Sequence, residues 1–290
     1  MKKNILLTGS NGQLGFEINK LSRNYEKENK FFFTDKNSLN IVDFDKINKY
    51  IVENKINVIV NCAAYTNVNK AESDKAQADL INNKAVENLA LTAKLNNAQL
   101  IHISTDYVYD GMSNKPYVES DRVSANSVYG KTKLNGENSL INVSPLDSII
   151  IRTSWLYSSH GNNFVKSMLK LGKEKKELSV IFDQIGTPTY AKDLAKVILD
   201  IIPKIKNEKI EIYNYSNEGA LSWYDFAKDI MEISKTNCKI LPIESIDYPM
   251  SEIRPLYALL NKTKIKKTFN VEIPYYKDSL KECLHLLGDN

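Results

Sequence analysis

The stretch Asn4-Ile5-Leu6-Leu7-Thr8-Gly9-Ser10-Asn11-Gly12-Gln13-Leu14-Gly15 sets the architecture of this chain. Asn4 to Thr8 is a short apolar run of strand character. Glycines follow at a three-residue spacing, and Leu14, Ile18 and Leu21 then recur at helical spacing. Strand, glycine turn and helix is the order in which backbone N–H groups and a helix N-terminus cradle a pyrophosphate. Gly9 permits the tight turn, Gly12 lets phosphate approach the backbone, and Gly15 lets the helix lie close to the strand. The spacing is G-x-x-G-x-x-G rather than G-x-G-x-x-G, so its meaning depends on what surrounds it.

The surroundings repeat the pattern. Lys30 to Thr34 reads as a second strand ending at Asp35, whose carboxylate suits an adenosine ribose and repels a 2′-phosphate. Lys36 beside it offsets that repulsion. Asp43 reads as an N-cap, with Phe44, Ile47 and Ile51 on the helix face. Asn57 to Asn61 is a buried-type third strand, and the small residues of Cys62-Ala63-Ala64-Tyr65 let a cofactor pass over the strand ends. Val86, Leu89, Ala90 and Ala93 form one helix face. Leu100 to Ser104 and Ser148 to Arg152 are the fourth and fifth strands.

Alternating strands and helices predict an α/β fold: a doubly wound, parallel, Rossmann-type sheet. Gly12, Asp35, Ala63, Thr105 and Trp155 all fall at or just beyond strand carboxyl ends, where such sheets bind ligands. The reading assigns residues 1–155 to an NAD(P)-binding domain and 156–290 to a smaller C-terminal substrate domain. In the second half, Leu178 to Phe182 and Glu211 to Tyr215 read as strands, so elements returning to the main sheet are allowed for. Leu194, Val197, Ile198 and Ile201 make an amphipathic helix there.

The chemistry sits in Ile103-Ser104-Thr105-Asp106-Tyr107-Val108-Tyr109 and in Tyr129-Gly130-Lys131-Thr132-Lys133. On a helix, Tyr129 and Lys133 share one face. A free tyrosine titrates at about 10, and bringing it down by ~3 units takes ~4 kcal/mol in favour of the phenolate. An ammonium ~4 Å away at an effective dielectric of ~20 supplies about that much. The spacing therefore suits a general acid/base for carbonyl reduction or alcohol oxidation, although an ordinary amphipathic helix also carries such pairs. The upstream Ser-Thr strand end and the N-terminal glycines favour the first reading.

Composition narrows the partners. The 290 residues are 42% hydrophobic and 26% charged, with a net charge of +4. That is ordinary for a globular protein and too weakly basic to argue for nucleic acid. Cys62, Cys238 and Cys283 lack disulfide or close metal spacing, and the three histidines are scattered, so no metal is expected. No run approaches the ~20 apolar residues of a membrane span. The N-terminal apolar run is too short for a signal segment, which points to the cytoplasm.

Together the glycine pattern, the Ser-Thr strand end and Tyr-x-x-x-Lys resemble the extended short-chain dehydrogenase/reductases. Asn61-Cys-Ala-Ala-Tyr-Thr66, Ser104 to Gly111, Tyr129 to Glu137, Arg152 to Tyr157, Gly161 to Phe164, Asp183 to Thr189 and Arg254-Pro255 are similar to the dTDP-4-dehydrorhamnose reductase family within them. The similarity spans nearly the whole chain. It implies NADH- or NADPH-dependent reduction of the 4-keto group of a dTDP-sugar, dTDP-4-dehydro-L-rhamnose, to dTDP-L-rhamnose. It makes Tyr129 the proton donor with Lys133 beside it, both also at the cofactor, and Thr105 a hydrogen-bond partner near the carbonyl. It puts Asp106 and Trp155 in the sugar pocket and Arg254 towards the diphosphate. With Gly9 and Gly15 of the turn, it gives cofactor contacts to Gly12, Gln13, Leu14, Asp35, Asp43, Phe44, Ala63, Ala64 and Tyr65. A homodimer is compatible with it.

The chain departs from the family at Asn69, Tyr109 and Ala258, where Asp, Phe and Ser are common. Two other classes stay open: a sugar-nucleotide 4,6-dehydratase or epimerase, and a non-catalytic nucleotide-binding subunit. Similar dehydratases carry Thr-Asp-Glu after the fourth strand, whereas Thr105-Asp106-Tyr107 lacks that carboxylate base. The intact Tyr129 and Lys133 argue against the subunit.

Overall fold

A computed structural model describes residues 2–248 and 254–288. Five strands, β1 (Lys3–Thr8), β2 (Asn29–Thr34), β3 (Val58–Asn61), β4 (Gln99–Thr105) and β5 (Ile149–Thr153), build a parallel sheet with a sixth, Glu211–Tyr215. The order across it is Glu211–Tyr215, β5, β4, β3, β1, β2. The chain leaves β1 for β2 on one side and then crosses back to β3 on the other. The switch point between β1 and β3 opens a crevice at the strand carboxyl ends.

Alternate side chains of each strand go to opposite layers, as a pleated backbone requires. Ile5, Leu7, Val58, Val60, Ile149 and Ile151 pack with the helices Gln13–Ser22 and Ala191–Ile201. Leu6, Ile59 and Ile150 face the other way, onto the helices Phe44–Glu53, Ala85–Leu95 and Val128–Val143. Strands buried on both faces explain why they read as continuous apolar runs.

A boundary at residue 155 runs through this sheet, because its sixth strand comes from the second half. Glu211–Tyr215 pairs in parallel with β5, Glu211 beside Ile149 and Tyr215 beside Thr153. The Ala191–Ile201 helix covers the same layer as Gln13–Ser22. The rest of the second half has its own core of Tyr157, Val165, Phe226, Ile230 and Leu280. There the expected Leu178 to Phe182 strand runs Glu177–Ile181 and pairs with Lys239–Ile243, a strand the sequence reading did not assign. Among the described residues no helix is long and apolar enough to cross a membrane.

The Val128–Val143 helix carries Tyr129 and Lys133, and its seating is tightly determined. Ser127 caps it by accepting from the Gly130 N–H at 3.1 Å. A Cβ on Gly136 would lie 2.0 Å from the Asn82 carbonyl oxygen, so only glycine allows this approach to the π-turn Leu80–Lys84. One residue on, Glu137 accepts two hydrogen bonds from Arg152 of β5, at 3.0 and 2.6 Å, and both side chains are buried. Removing one partner of such a pair leaves an uncompensated buried charge. Glu137→Ala should therefore cost ~3–5 kcal/mol of stability in urea unfolding. Glu87→Ala, which breaks the exposed Lys84–Glu87 pair, should cost ~0–1 kcal/mol.

Candidate active site

A cleft of about 1130 Å³ lies over the carboxyl ends of the strands. It exceeds the roughly 300–1,000 Å³ of a drug-sized ligand site, leaving room for a dinucleotide and a second molecule. Asp35 follows β2 and Thr105 ends β4, three strand spacings away, roughly 14 Å at ~4.8 Å per strand.

The glycine turn forms one wall. Gly9 has φ +68°, and a Cβ there would lie 2.7 Å from the Ala63 N–H nitrogen. Gly12 is the N-cap of the Gln13–Ser22 helix and has no side-chain cap hydrogen bond. The helix N-terminus thus faces the cleft without a side chain over it, which fits a pyrophosphate. Gln13, Leu14, Ala63 and Ala64 line the same wall. Asp35 lines it too, held by Asn11 Nδ2 at 2.7 Å and by Asn37 and Ser38 N–H groups at 3.0 and 2.9 Å. The Ser38 hydrogen bonds lead in holding its carboxyl below the usual range. An ionised, oriented carboxylate suits a ribose diol, and Lys36 stands next to it in the lining.

At the far end Ser104, Thr105, Asp106, Tyr107, Tyr129, Lys133 and Trp155 converge. Withdrawal from water pushes the Tyr129 phenol up to about 12, with the Thr105 hydroxyl opposing and Asp106 adding. The sequence expectation that a Lys133 ammonium lowers this phenol is corrected here. Lys133 Nζ donates to the Ile103 carbonyl at 2.6 Å and meets His102 Nε2 at 3.2 Å. Its own burial brings it down to about 8. Desolvation therefore outweighs the expected charge effect, and Tyr129 holds its proton.

Burial also raises Asp106 to about 7, against the hydrogen bond from Thr105. Asp106 Oδ2 and Ser104 Oγ are buried without a hydrogen-bond partner. Each such atom costs ~1–3 kcal/mol until a ligand supplies a partner. Trp155 has φ +48°, a left-handed backbone unusual for an indole residue. Its ring stacks on Trp223 with centroids 3.6 Å apart and lies against Gly186.

Other expected site residues stand elsewhere. Gly15 is behind the wall, where a Cβ would lie 2.3 Å from the Gly9 carbonyl oxygen. Asp43 caps the Phe44–Glu53 helix by accepting from Lys46 N–H, and neither Asp43 nor Phe44 lines the cleft. Tyr65 is outside the lining: its backbone is clamped by the Asn82 amide at 2.8 and 3.1 Å and its hydroxyl donates to Asp74. Arg254 is partly buried and is also outside the lining. The sequence reading missed the apolar walls Leu39, Ile41, Val42, Leu80 and Ile81. They come from an irregular loop and a π-turn, which leave no periodic signal.

The family model described as RmlD substrate binding domain matches residues 1–288. The dTDP-4-dehydrorhamnose reductase of Aggregatibacter actinomycetemcomitans is 39% identical over 289 residues, covering 96% of this chain and 97% of that one. A crystal structure of a dTDP-4-dehydrorhamnose reductase from Clostridium acetobutylicum has a TM-score of 0.93 at 41% identity, covering 98% of this chain and 99% of the other. That of the Bacillus anthracis dTDP-4-dehydrorhamnose reductase in complex with NADP has a TM-score of 0.92 at 33% identity, covering 99% and 100%. With the glycine turn, the tyrosine helix and the second lobe inside one continuous match, this chain belongs to the RmlD substrate binding domain family.

Proposed function

We propose that the chain is an NAD(P)H-dependent reductase that converts the 4-keto group of dTDP-4-dehydro-L-rhamnose to the alcohol of dTDP-L-rhamnose. The observation that carries this reading is the placing of a protonated Tyr129 and the Thr105 hydroxyl in one cleft with an uncapped glycine turn. The relatives named above share the chain's full length and point to the same substrate class.

When bound, NADH or NADPH supplies the hydride. The residues of the chain supply the rest. The turn at Gly9 and Gly12 takes the pyrophosphate, and Asp35 takes the adenosine ribose. Tyr129 gives its proton to the carbonyl oxygen as negative charge develops there. Thr105 orients that oxygen from the other side. Ser104 and Asp106 find in the sugar hydroxyls the partners their buried oxygens lack, and the Trp155 indole covers an apolar sugar face.

Dehydration fits this cleft less well. It needs an acid for the leaving hydroxyl and a base for the C5 proton. Among the described lining residues the carboxylates are Asp35 and Asp106, at opposite ends. Tyr107 stands where a second carboxylate would serve, its ring edge-on to Tyr129 at 5.4 Å.

The test is turnover. Loss of NAD(P)H absorbance with dTDP-4-dehydro-L-rhamnose, and a rhamnose product by NMR, is the expected result; a 4-keto-6-deoxy product from dTDP-glucose without net cofactor use would sink the proposal. Tyr129→Phe should lower kcat by ~10²–10⁴-fold, with NADPH affinity retained in a fluorescence titration. A charge-assisted hydrogen bond contributes ~1.5–3 kcal/mol, about ten-fold or more in affinity. Asp35→Ala should therefore shift relative kcat/KM towards NADPH by at least ~10-fold. Unchanged relative kcat/KM would remove Asp35 from the ribose site.

A further inference from the structure

Behind Tyr129 a chain of hydrogen bonds fixes more than positions. The Asn61 side-chain oxygen accepts from the Thr8 hydroxyl at 2.7 Å and from the Ala63 backbone N–H at 3.2 Å. A backbone N–H only donates, so the Asn61 amide cannot be turned over without setting donor against donor. Its Nδ2 therefore faces His102 Nδ1, 3.0 Å away, and donates to it. A neutral imidazole that accepts at Nδ1 carries its proton on Nε2. That Nε2–H points at Lys133 Nζ, 3.2 Å away.

An ammonium has three donors and no lone pair, so it cannot accept from Nε2–H. An uncharged amine can: its lone pair takes the imidazole proton while one of its own hydrogens goes to the Ile103 carbonyl at 2.6 Å. Glu137, one turn along the helix, favours the ammonium from a distance, but it gives both oxygens to Arg152. His102 and Lys133 are both buried, and His102 cannot relieve the conflict by turning without losing Asn61.

We propose that His102, locked as its Nε2–H tautomer by Asn61, is a positioning residue that disfavours the ammonium of Lys133 in the cofactor-free protein and makes the uncharged amine accessible at mildly alkaline pH. The uncharged amine leaves the neighbouring phenol protonated and ready to donate. Only this last use of the amine rests on the reductase reading. The ionisable groups that bear on Lys133 are His102 from β4, and Cys62 after β3 and Glu137 on its own helix, both of which favour the ammonium; Tyr129 lies one turn before it on that helix. Burial depresses His102 well below its ordinary value, raises the Cys62 thiol, and brings Lys133 down to about 8.

The test reads the amine directly and needs no substrate. In the full chain labelled with carbon-13 lysine, the Cε resonance that disappears in Lys133→Arg is followed from neutral to alkaline pH. It should titrate near 8, at least about one unit below the exposed lysines, whose usual value is about 10.4. His102→Gln offers the ammonium a carbonyl in place of Nε2–H. Asn61→Asp draws the imidazole proton to Nδ1 and frees Nε2 as an acceptor. Both variants should move the break up by at least about one pH unit. A wild-type Lys133 that titrates with the surface lysines overturns the proposal. So does a break unmoved in His102→Gln, even if Asn61→Asp moves it, because added charge alone would then explain that shift. Absence of turnover would leave this titration intact and count against the reductase reading instead.

Discussion

β1 pairs with β2 on one edge and with β3 on the other, and the cleft depends on that double pairing. Parallel strands need a crossover between them, and here the one from β1 leads to β2 while the one from β3 leads the opposite way, to β4. The loops that follow β1 and β3 therefore diverge over the sheet, leaving an opening lined by backbone. Gly9 is pressed so close to Ala63 that a side chain there would displace the β3 loop. Phosphate binding by the turn and the approach of β1 to β3 thus make the same demand on one residue.

The reacting end is held by a different device. The Val128–Val143 helix has a weak apolar face and is anchored by specific contacts: the Ser127 cap, the Gly136 approach to Asn82 and the buried Glu137–Arg152 pair. Asn82 joins these supports, bonding the Tyr65 backbone and the Thr132 hydroxyl. Such contacts fix direction as well as distance, as a proton donor on the helix requires. Trp155 is held by comparable means, with an unusual backbone conformation stabilised by stacking on Trp223.

The electrostatics at this end follow burial more than pairing. An ammonium near a phenol in water-like surroundings favours the phenolate. In this interior the ammonium itself is disfavoured, and Lys133 Nζ faces His102 Nε2 and the Ile103 carbonyl. Tyr129 is left with Thr105 and Asp106 as its electrostatic neighbours, and Asp106 is itself pushed to about 7. A phenol that keeps its proton suits delivery of that proton to a carbonyl oxygen better than proton removal from an alcohol.

The sequence by itself determined the alternation of strands and helices, the glycine turn at Gly9 to Gly15, the acid after β2 and the helix carrying Tyr129 and Lys133. Each of these is written in residues near one another: apolar runs, turn glycines, and a four-residue spacing that puts two side chains on one helix face. Only the tertiary structure decided that Glu211–Tyr215 completes the sheet, that Leu39 and Ile81 wall the cleft, and that Asp43 and Tyr65 stand outside its lining. It also decided the company of Lys133, because His102 lies 31 residues away in the chain and Asn61 a further 41. Spacing sets which face a side chain leaves from. The proton it carries depends on the buried donors and acceptors it meets, and those are assembled only when distant strands pair.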